Sequence, residues 1–374
     1  MPTRERAEVR AFPQANASYE RWLGARLRLL AADLRRKHAA MAETPFPFLR
    51  ATFFRWAERW PAVCPDLTDA PPVLAVGDLH VENFGTWRDA EGRLAWGVND
   101  YDEAWPLPYT NDLVRLATSA VLAAEENELA LEPDPATAAI LEGYHAGLEA
   151  GGLPFVLAEH HHALHEMAVA RLKDPKKFWD KLDAMPLVRG KPPATARKAL
   201  REMLPDPDLE VRFVHRIAGL GSLGRERYVA IGDWHGGQVA REAKALAPSA
   251  CSWAAGTGGR HGKFYYQRTL DQAVRCPDPF VRVKRRWVIR RLAPDCSRID
   301  LKALPAVRDE LALLRAMGWE TANVHLGSAR AKTLRADLQR RPEGWLRKAA
   351  THMRDEVRTD WQAWRALWTK RAGR

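Results

Sequence analysis

Val76-Gly-Asp-Leu-His-Val-Glu-Asn-Phe-Gly85, followed by Gly97-Val-Asn-Asp-Tyr-Asp-Glu-Ala104 and Thr110-Asn-Asp-Leu113, is the stretch whose reading decides the fold. Five carboxylates (Asp78, Glu82, Asp100, Asp102 and Glu103), the carboxamide of Asn83 and the imidazole of His80 stand between short apolar runs. Polar atoms at that density usually serve chemistry, and the pattern reads as a metal–phosphate site.

The flanking runs Val73-Leu-Ala-Val76 and Leu94-Ala-Trp-Gly-Val98 are each long enough for a short buried strand, and acids follow each at once. Between them, the polar segment Arg88–Arg93 contains Gly92, so the two runs are expected to pair as a hairpin and bring Asn83 close to Asp100. Magnesium prefers carboxylate and amide oxygens, with water and substrate phosphate completing its shell. Asn83 with Asp100, and Asp102 as an auxiliary ligand, meets that requirement. Asp78 is then left to accept a proton from an attacking hydroxyl.

Asp78-Leu-His-Val-Glu-Asn83 resembles the catalytic loop of protein-kinase-like phosphotransferases, above all the aminoglycoside and choline kinase branch. The resemblance implies Asp78 as catalytic base, His80 as a residue that orients the loop, Asn83 as a magnesium ligand and Asp100 as a second metal-binding aspartate. Asn111-Asp-Leu-Val-Arg-Leu-Ala117 is similar to that branch's segment in which an aspartate opens a helix and braces the loop. The chain more closely resembles the uncharacterised bacterial family called domain of unknown function 2252. Its marks here are Pro45-Phe-Pro-Phe-Leu-Arg50, the Gly-Asp-Leu-His-Val-Glu-Asn-Phe-Gly run, Asn99-Asp-Tyr-Asp-Glu103, a later glycine-rich segment, and Gly318-Trp-Glu-Thr-Ala-Asn-Val-His325.

Each residue also has a plainer reading. Asp78 and Asn83 suit caps and turns, Asp112 suits a helix N-cap, and Glu82 and Glu103 suit a solvated surface. Gly-Asp-x-His also occurs in metallophosphoesterases, but these need further Gly-Asp and Gly-Asn-His clusters that the sequence lacks.

The 374 residues allow two domains or one large one, and 46% hydrophobic with 28% charged residues is ordinary for a globular protein. A net charge of +11 suits an anionic partner, although an arginine-rich genome gives the same bias. Charge alone also suits nucleic acid, but no groove-reading motif accompanies it. Cys64, Cys251, Cys276 and Cys296 are widely spaced, without a Cys-x-x-Cys pair, so neither a zinc site nor a disulfide framework is expected. The N-terminus lacks a signal-peptide pattern and no apolar run reaches about 20 residues, so a soluble, cytoplasmic protein without membrane contact is expected.

Residues 1–16 read as loose. Tyr19 to Met41 reads as one amphipathic helix ended by Pro45 and Pro47, and Leu49 to Trp60 as a second helix packed beneath the strands. Asn111 to Ala130 is expected to be a helix with an Asx cap, and Pro133 to start another reaching about Gly151. His161 and His165, and His162 and Glu166, have i, i+4 spacing, yet they lack the glutamate of a zinc-peptidase helix and read as a partly exposed helix. Lys173 to Lys198 is basic and suits a surface connection.

In the second half, an alternating strand from Val211 is followed by Gly219-Leu-Gly-Ser-Leu-Gly224 and another strand, Arg227-Tyr-Val-Ala-Ile231. Strand–glycine loop–strand is the kinase phosphate-loop arrangement, and Gly219, Gly221 and Gly224 let backbone N–H groups approach phosphate. The next strand is where a kinase-like fold holds its phosphate lysine. The related family has Lys-Glu-Ala there, whereas this chain has Arg241-Glu-Ala243, so Arg241 or Lys244 is the expected phosphate contact. The glutamate that pairs with such a lysine is not evident, with Gln267 nearest its place. Phe280–Val283 and Trp287–Leu292 bring the count to about five strands. Helices are expected from Leu301 to Met317, Trp319 to Leu326 and Arg340 to Leu367, with Trp361, Trp364 and Trp368 forming a packing face and His325 near the cleft.

The order of parts is the reverse of an ordinary kinase, so the expected fold is α+β, a kinase-like fold in circularly permuted form. Residues 1–204 form a helix-rich catalytic region, 205–300 a β-rich nucleotide lobe, and 301–374 helices packed on the catalytic lobe. The expected function is an ATP- and magnesium-dependent phosphotransferase acting on a hydroxyl substrate. The alternatives are a catalytically weak nucleotide-binding scaffold and nucleotidyl transfer on the same fold.

Overall fold

In a computed structural model of the chain, residues 10–126, 129, 131–169, 174–257, 262–296 and 307–372 are described. The expectations for residues 1–9, for the helical turns at 127–128 and 130, for Lys173, and for a helix beginning at Leu301 fall outside them. Four helices open the chain: α1 (Phe12–Gly24), α2 (Ala31–Glu43), α3 (Pro45–Ala51) and α4 (Phe53–Val63). The single helix expected from Tyr19 to Met41 is therefore two. The break at residues 25–30 has a partner: Leu29 bridges Arg225, and Leu30 N–H donates to the carbonyl of Gly224 at 2.8 Å. Pro45 starts α3 instead of merely ending a helix, because a proline at the first helical position has no N–H to leave unsatisfied.

Then come β1 (Pro72–Ala75), β2 (Phe84–Arg88), β3 (Leu94–Val98) and β4 (Trp105–Pro108). The hairpin forms at the expected turn, but its first strand is β2; β1 pairs with β4. Phe84-Gly-Thr-Trp-Arg88 follows the acidic loop without a gap, and in the sequence it is concealed by that loop.

α5 (Tyr109–Glu125) starts two residues before Asn111, whose carbonyl oxygen accepts from Trp56 Nε1 at 2.9 Å instead of capping the helix. α6 (Pro133–Glu149) follows, and then β5 (Phe155–Val156), which adds to β3. Four short helices lead to the second half: α7 (Leu157–His160), α8 (His162–Val169), α9 (Pro175–Asp183) and α10 (Ala194–Arg201).

The second half holds one antiparallel sheet of five strands: β6 (Arg212–His215), β7 (Arg227–Trp234), β8 (Gly237–Ala245), β9 (Arg282–Lys284) and β10 (Trp287–Leu292), in the order β6-β7-β8-β10-β9. Two short helices, α11 (Ala250–Ala254) and α12 (Tyr266–Gln272), lie between β8 and β9. All strand pairs described are antiparallel and the helices are segregated from the sheets, which makes the fold α+β. Period-two alternation divides the large sheet. One face, with Ala243, Ala245 and Ile289, packs on α10, and the other carries Val229, Ile231 and Ala240 against Leu182 of α9.

The chain ends in α13 (Val307–Leu326), α14 (Ala331–Leu338) and α15 (Trp345–Ala372). Gly318 does not interrupt α13. A Cβ there would lie 2.0 Å from the Ile140 carbonyl oxygen, and one on Gly143 would lie 1.8 Å from that of Arg315, so these glycines let α6 and α13 touch backbone to backbone. The tryptophan stripe on α15 is a packing face, with Trp364 buried and its Nε1 donating to His38 O at 3.1 Å. Among the described residues, no helix is long and apolar enough to cross a membrane.

Gly318→Ala should force α6 and α13 apart and lower stability by about 2–4 kcal/mol despite the better helix propensity of alanine. Gly237→Ala, where an added Cβ meets nothing within 4 Å, is the control and should change it by less than about 0.5 kcal/mol in urea denaturation.

Candidate active site

The acidic loop between β1 and β2 is held from below by Asp112, at the start of α5. Its carboxylate accepts Val76 N–H at 2.7 Å and Gly77 N–H at 2.9 Å. His325 Nε2 lies 3.1 Å from the same carboxylate, and Tyr144 Oη lies 2.8 Å from Nδ1. A carboxylate only accepts, so Nε2 carries a proton, and the Tyr144 hydroxyl engages the ring's other nitrogen. His325 therefore stands behind the loop, fully buried. Gly77 has φ +80°, and a Cβ there would lie 2.4 Å from the Glu103 carbonyl oxygen; only glycine fits where the two acidic segments cross.

Asp78 emerges from this brace. Its Oδ1 accepts from Arg115 Nε at 3.0 Å and also from Nη2, which donates to Leu49 O at 2.9 Å as well. Arg115 is buried between the rings of Phe53 and Trp56, 5.0 and 4.9 Å away. Burial pushes the Asp78 carboxyl above the usual range, with the Arg115 charge acting against it. His80 turns inward on its own loop, Nδ1 accepting from Glu82 N–H at 3.2 Å, and Glu82 pairs with Arg50 at 2.6 Å.

Asn83 donates its amide nitrogen to two backbone carbonyls, of Asp78 at 3.2 Å and Asp100 at 3.1 Å. Two acceptors fix the amide's orientation and turn its carbonyl oxygen away from both. The sequence thus brings Asn83 and Asp100 together as expected, although through a different strand pairing. Asp100 Oδ2 accepts from Lys244 Nζ at 2.6 Å, and Oδ1 from Asp102 N–H at 3.1 Å. Burial would raise the Asp100 pKa, but Lys244 and Arg290 overcome it and hold the carboxyl well below the ordinary range. Lys244 Nζ also lies 2.8 Å from Asp102 Oδ1, while Asp102 Oδ2 meets Arg225 Nη1 at 3.2 Å. The Asp102 pKa is raised, first by burial and then by the charge of Asp100. Glu103 accepts from Arg225 at 3.1 Å and from Ala250 N–H at 2.6 Å, and burial pushes it up to about 7.

These groups line a cavity of about 920 Å³ between the helical half and the five-stranded sheet. The glycine loop closes over it. A Cβ on Gly221 would lie 3.3 Å from Asp78 Oδ2 and 3.0 Å from Arg50 O, so two segments separated by some 140 residues meet at Asp78. Gly219 (φ +72°) and Gly224 (φ +96°) shape the loop's ends. Arg241 is a correction to the sequence reading. Lys244 and Glu242 take the cavity side of β8, so alternation sends Arg241 to the other face, where it donates to Met203 O at 2.7 Å and stacks 5.0 Å from Phe280. Gln267 is likewise spent elsewhere, accepting from Val283 N–H.

The basic residues facing the cavity are different ones. Glu242, fully buried, binds Arg216 at 2.5 Å and Arg227 at 2.8 Å, and Arg290 stands opposite it on β10. Burial would raise the Glu242 pKa, but these three guanidinium groups hold it far below the usual range. Three cations around one carboxylate leave positive charge for an anion. Arg115, Arg216, Arg225, Arg227 and Arg290 carry no local motif, and only the alternation along β7, β8 and β10 hints at the last two. Among the described residues no cluster of three or more His, Cys, Asp or Glu side chains suits a metal.

Residues 28–152 match a family described as an uncharacterized protein conserved in bacteria, DUF2252. That interval holds every acid of the loop and stops before the large sheet. No curated protein and no solved structure matches the chain.

Behind β3, Glu320 of α13 accepts from Val98 N–H at 3.1 Å and from Asn323 at 2.9 Å. Burial pushes it from 4.5 to about 7, with Arg275 acting against. The folded state keeps a proton there that the unfolded chain loses, so stability should fall as pH rises through that window. Glu320→Gln should therefore gain about 1–3 kcal/mol over wild type at pH 8 and almost nothing at pH 4 in urea titrations. An equal gain at both would contradict the assignment.

Proposed function

We propose that the chain is a kinase-like, nucleotide-dependent phosphotransferase acting on a hydroxyl-bearing substrate. The observation that carries this reading is the meeting of Asp78, Asn83 and Asp100 beneath a glycine loop supplied from much later in the chain. Fold and family alone do not carry it, because the same architecture hosts many functions.

The oxygen set of Asn83 Oδ1, Asp100 and Asp102 fits magnesium, which takes few protein ligands and keeps the rest of its shell for water and phosphate. Magnesium–ATP, when bound, supplies a transferable phosphoryl group and a divalent charge to screen it. The chain's own residues supply position and proton transfer. Arg115 fixes Asp78 by one oxygen and leaves Oδ2 towards the cavity, where it would accept the substrate hydroxyl's proton as the oxygen–phosphorus bond forms, the bond from phosphorus to the bridging oxygen breaks and the nucleoside diphosphate leaves. Burial makes that carboxylate a stronger base than an exposed one. Arg216, Arg227 and Arg290, with the N–H groups of the Gly219–Gly224 loop, hold phosphate oxygens. Glu242 keeps these arginines in place without cancelling their charge.

A second reading, a nucleotide-binding scaffold with weak catalysis, is favoured by Lys244. Its ammonium group sits on the two carboxylates a metal would need. ATP labelled separately at the α- and γ-phosphorus separates phosphoryl from nucleotidyl transfer on this site.

Magnesium–ATP should raise the melting temperature of the wild type by a few degrees and that of Asp100→Ala not at all. Asp78→Asn should keep the shift while losing about 10²-fold or more of turnover. A folded wild type with no magnesium-dependent shift at millimolar nucleotide would contradict the phosphotransferase reading and leave the scaffold reading in front.

A further inference from the structure

α2 buries a stripe made of Asp33, Lys37 and Met41, two charges where helices ordinarily place apolar side chains. Asp33 has an evident structural task, since its carboxylate meets His215 Nε2 at 2.8 Å and ties the helix to β6. Among the described residues, Lys37 has no such counter-ion at bonding distance. Its ammonium donates to the carbonyl oxygen of Gly221 at 3.1 Å, a neutral partner.

An ammonium carries three N–H donors, and burying one against a neutral oxygen is costly. Burial, and then the charge of Arg225, lowers Lys37 to about 8, while Glu20, Glu103 and Asp78 act in the other direction from farther off. A stability role is poorly served by this arrangement. Lys37 also lines the cavity, and the Gly221 it bonds is the residue whose added Cβ would lie 3.3 Å from Asp78 Oδ2. Lys244 is engaged by Asp100 and Asp102, and Lys181 is exposed at the cavity's edge. Lys37 is thus a buried cavity lysine whose one bonded partner among the described residues is an uncharged loop atom.

Resting on the phosphotransfer reading, we propose that Lys37 is a phosphoryl-binding residue of this cavity, which exchanges the Gly221 carbonyl for an oxygen of the nucleotide's terminal phosphate. The terminal phosphate then lies between a cation from α2 and the base on the acidic loop, and the glycine loop is released from Asp78 in the same event. An ammonium on phosphate is a charge-assisted contact, stronger than the neutral one it replaces.

The test is calorimetric titration of the full chain with magnesium–ATP and magnesium–ADP, comparing wild type with Lys37→Met, which keeps the length of the stem and removes the charge. Wild type should prefer ATP, and the variant should lose about tenfold or more of that preference while its ADP affinity stays within about threefold. Lys37→Met should also be at least as stable as wild type in urea, whereas a purely structural lysine would leave it weaker. Lys37→Gln carries the same comparison if the methionine variant folds poorly, and Lys37→Arg should retain the preference. A neutral variant that keeps the wild-type preference, or binds both nucleotides more tightly because the loop is freed, overturns the proposal. Wild type that binds neither nucleotide overturns the phosphotransfer reading beneath it.

Discussion

Lys244 Nζ lies 2.6 Å from Asp100 and 2.8 Å from Asp102, and this one cation joins the five-stranded sheet to the acidic loop of the helical half. Carboxylates gathered in one cavity repel each other and lose hydration, so each needs a cation or several donors. The chain answers residue by residue. Arg115 serves Asp78, Lys244 serves Asp100, and Arg225 serves Asp102 and Glu103. Those cations come from α5, β8 and the end of the glycine loop, so neutralising the acids also dictates which elements approach each other.

A neutral contact holds the glycine loop beside these pairs. Gly221 rests over Asp78, and its carbonyl is held by Lys37. A metal and a phosphate chain entering this space would take over contacts that protein atoms now make, the metal at Asp100 and the phosphates near Gly221. The excess positive charge around Glu242 belongs to the sheet and the oxygens of Asp100 and Asp102 to the acidic loop, an arrangement suited to a magnesium-bound polyphosphate. Buried charge at a binding site generally costs stability, and Glu103, Glu320 and Lys37 all bear pKa shifts that burial drives.

Much of this was legible in the sequence, and what was not has definable causes. The acidic loop, the strand–glycine loop–strand unit and the five strands of the second half are local patterns of apolar runs, glycines and acids, which period and turn chemistry expose. The partner of β1 was not legible, because nothing local distinguishes β3 from the short, proline-rich β4 as its neighbour. Gly318 reads as a break, but the constraint it answers lies in α6, on a different part of the chain. Arg241 occupies the family's lysine position in the motif, but strand alternation puts Glu242 and Lys244 on one face and Arg241 on the other. Lys37 was legible in principle: it lies one helical turn before Met41 on the same stripe, where a lysine is out of place.

The central claim is that Asn83 and Asp100 hold a divalent cation at a polyphosphate site under the glycine loop. Anomalous diffraction at the manganese edge, from crystals grown with manganese and a non-hydrolysable ATP analogue, tests it most directly. The account predicts one strong peak between Asn83 Oδ1 and the Asp100 carboxylate, with Lys244 displaced from at least one of its two partners. Ordered nucleotide bound elsewhere, or a cavity in which Lys244 keeps both carboxylates and no peak arises, would contradict it.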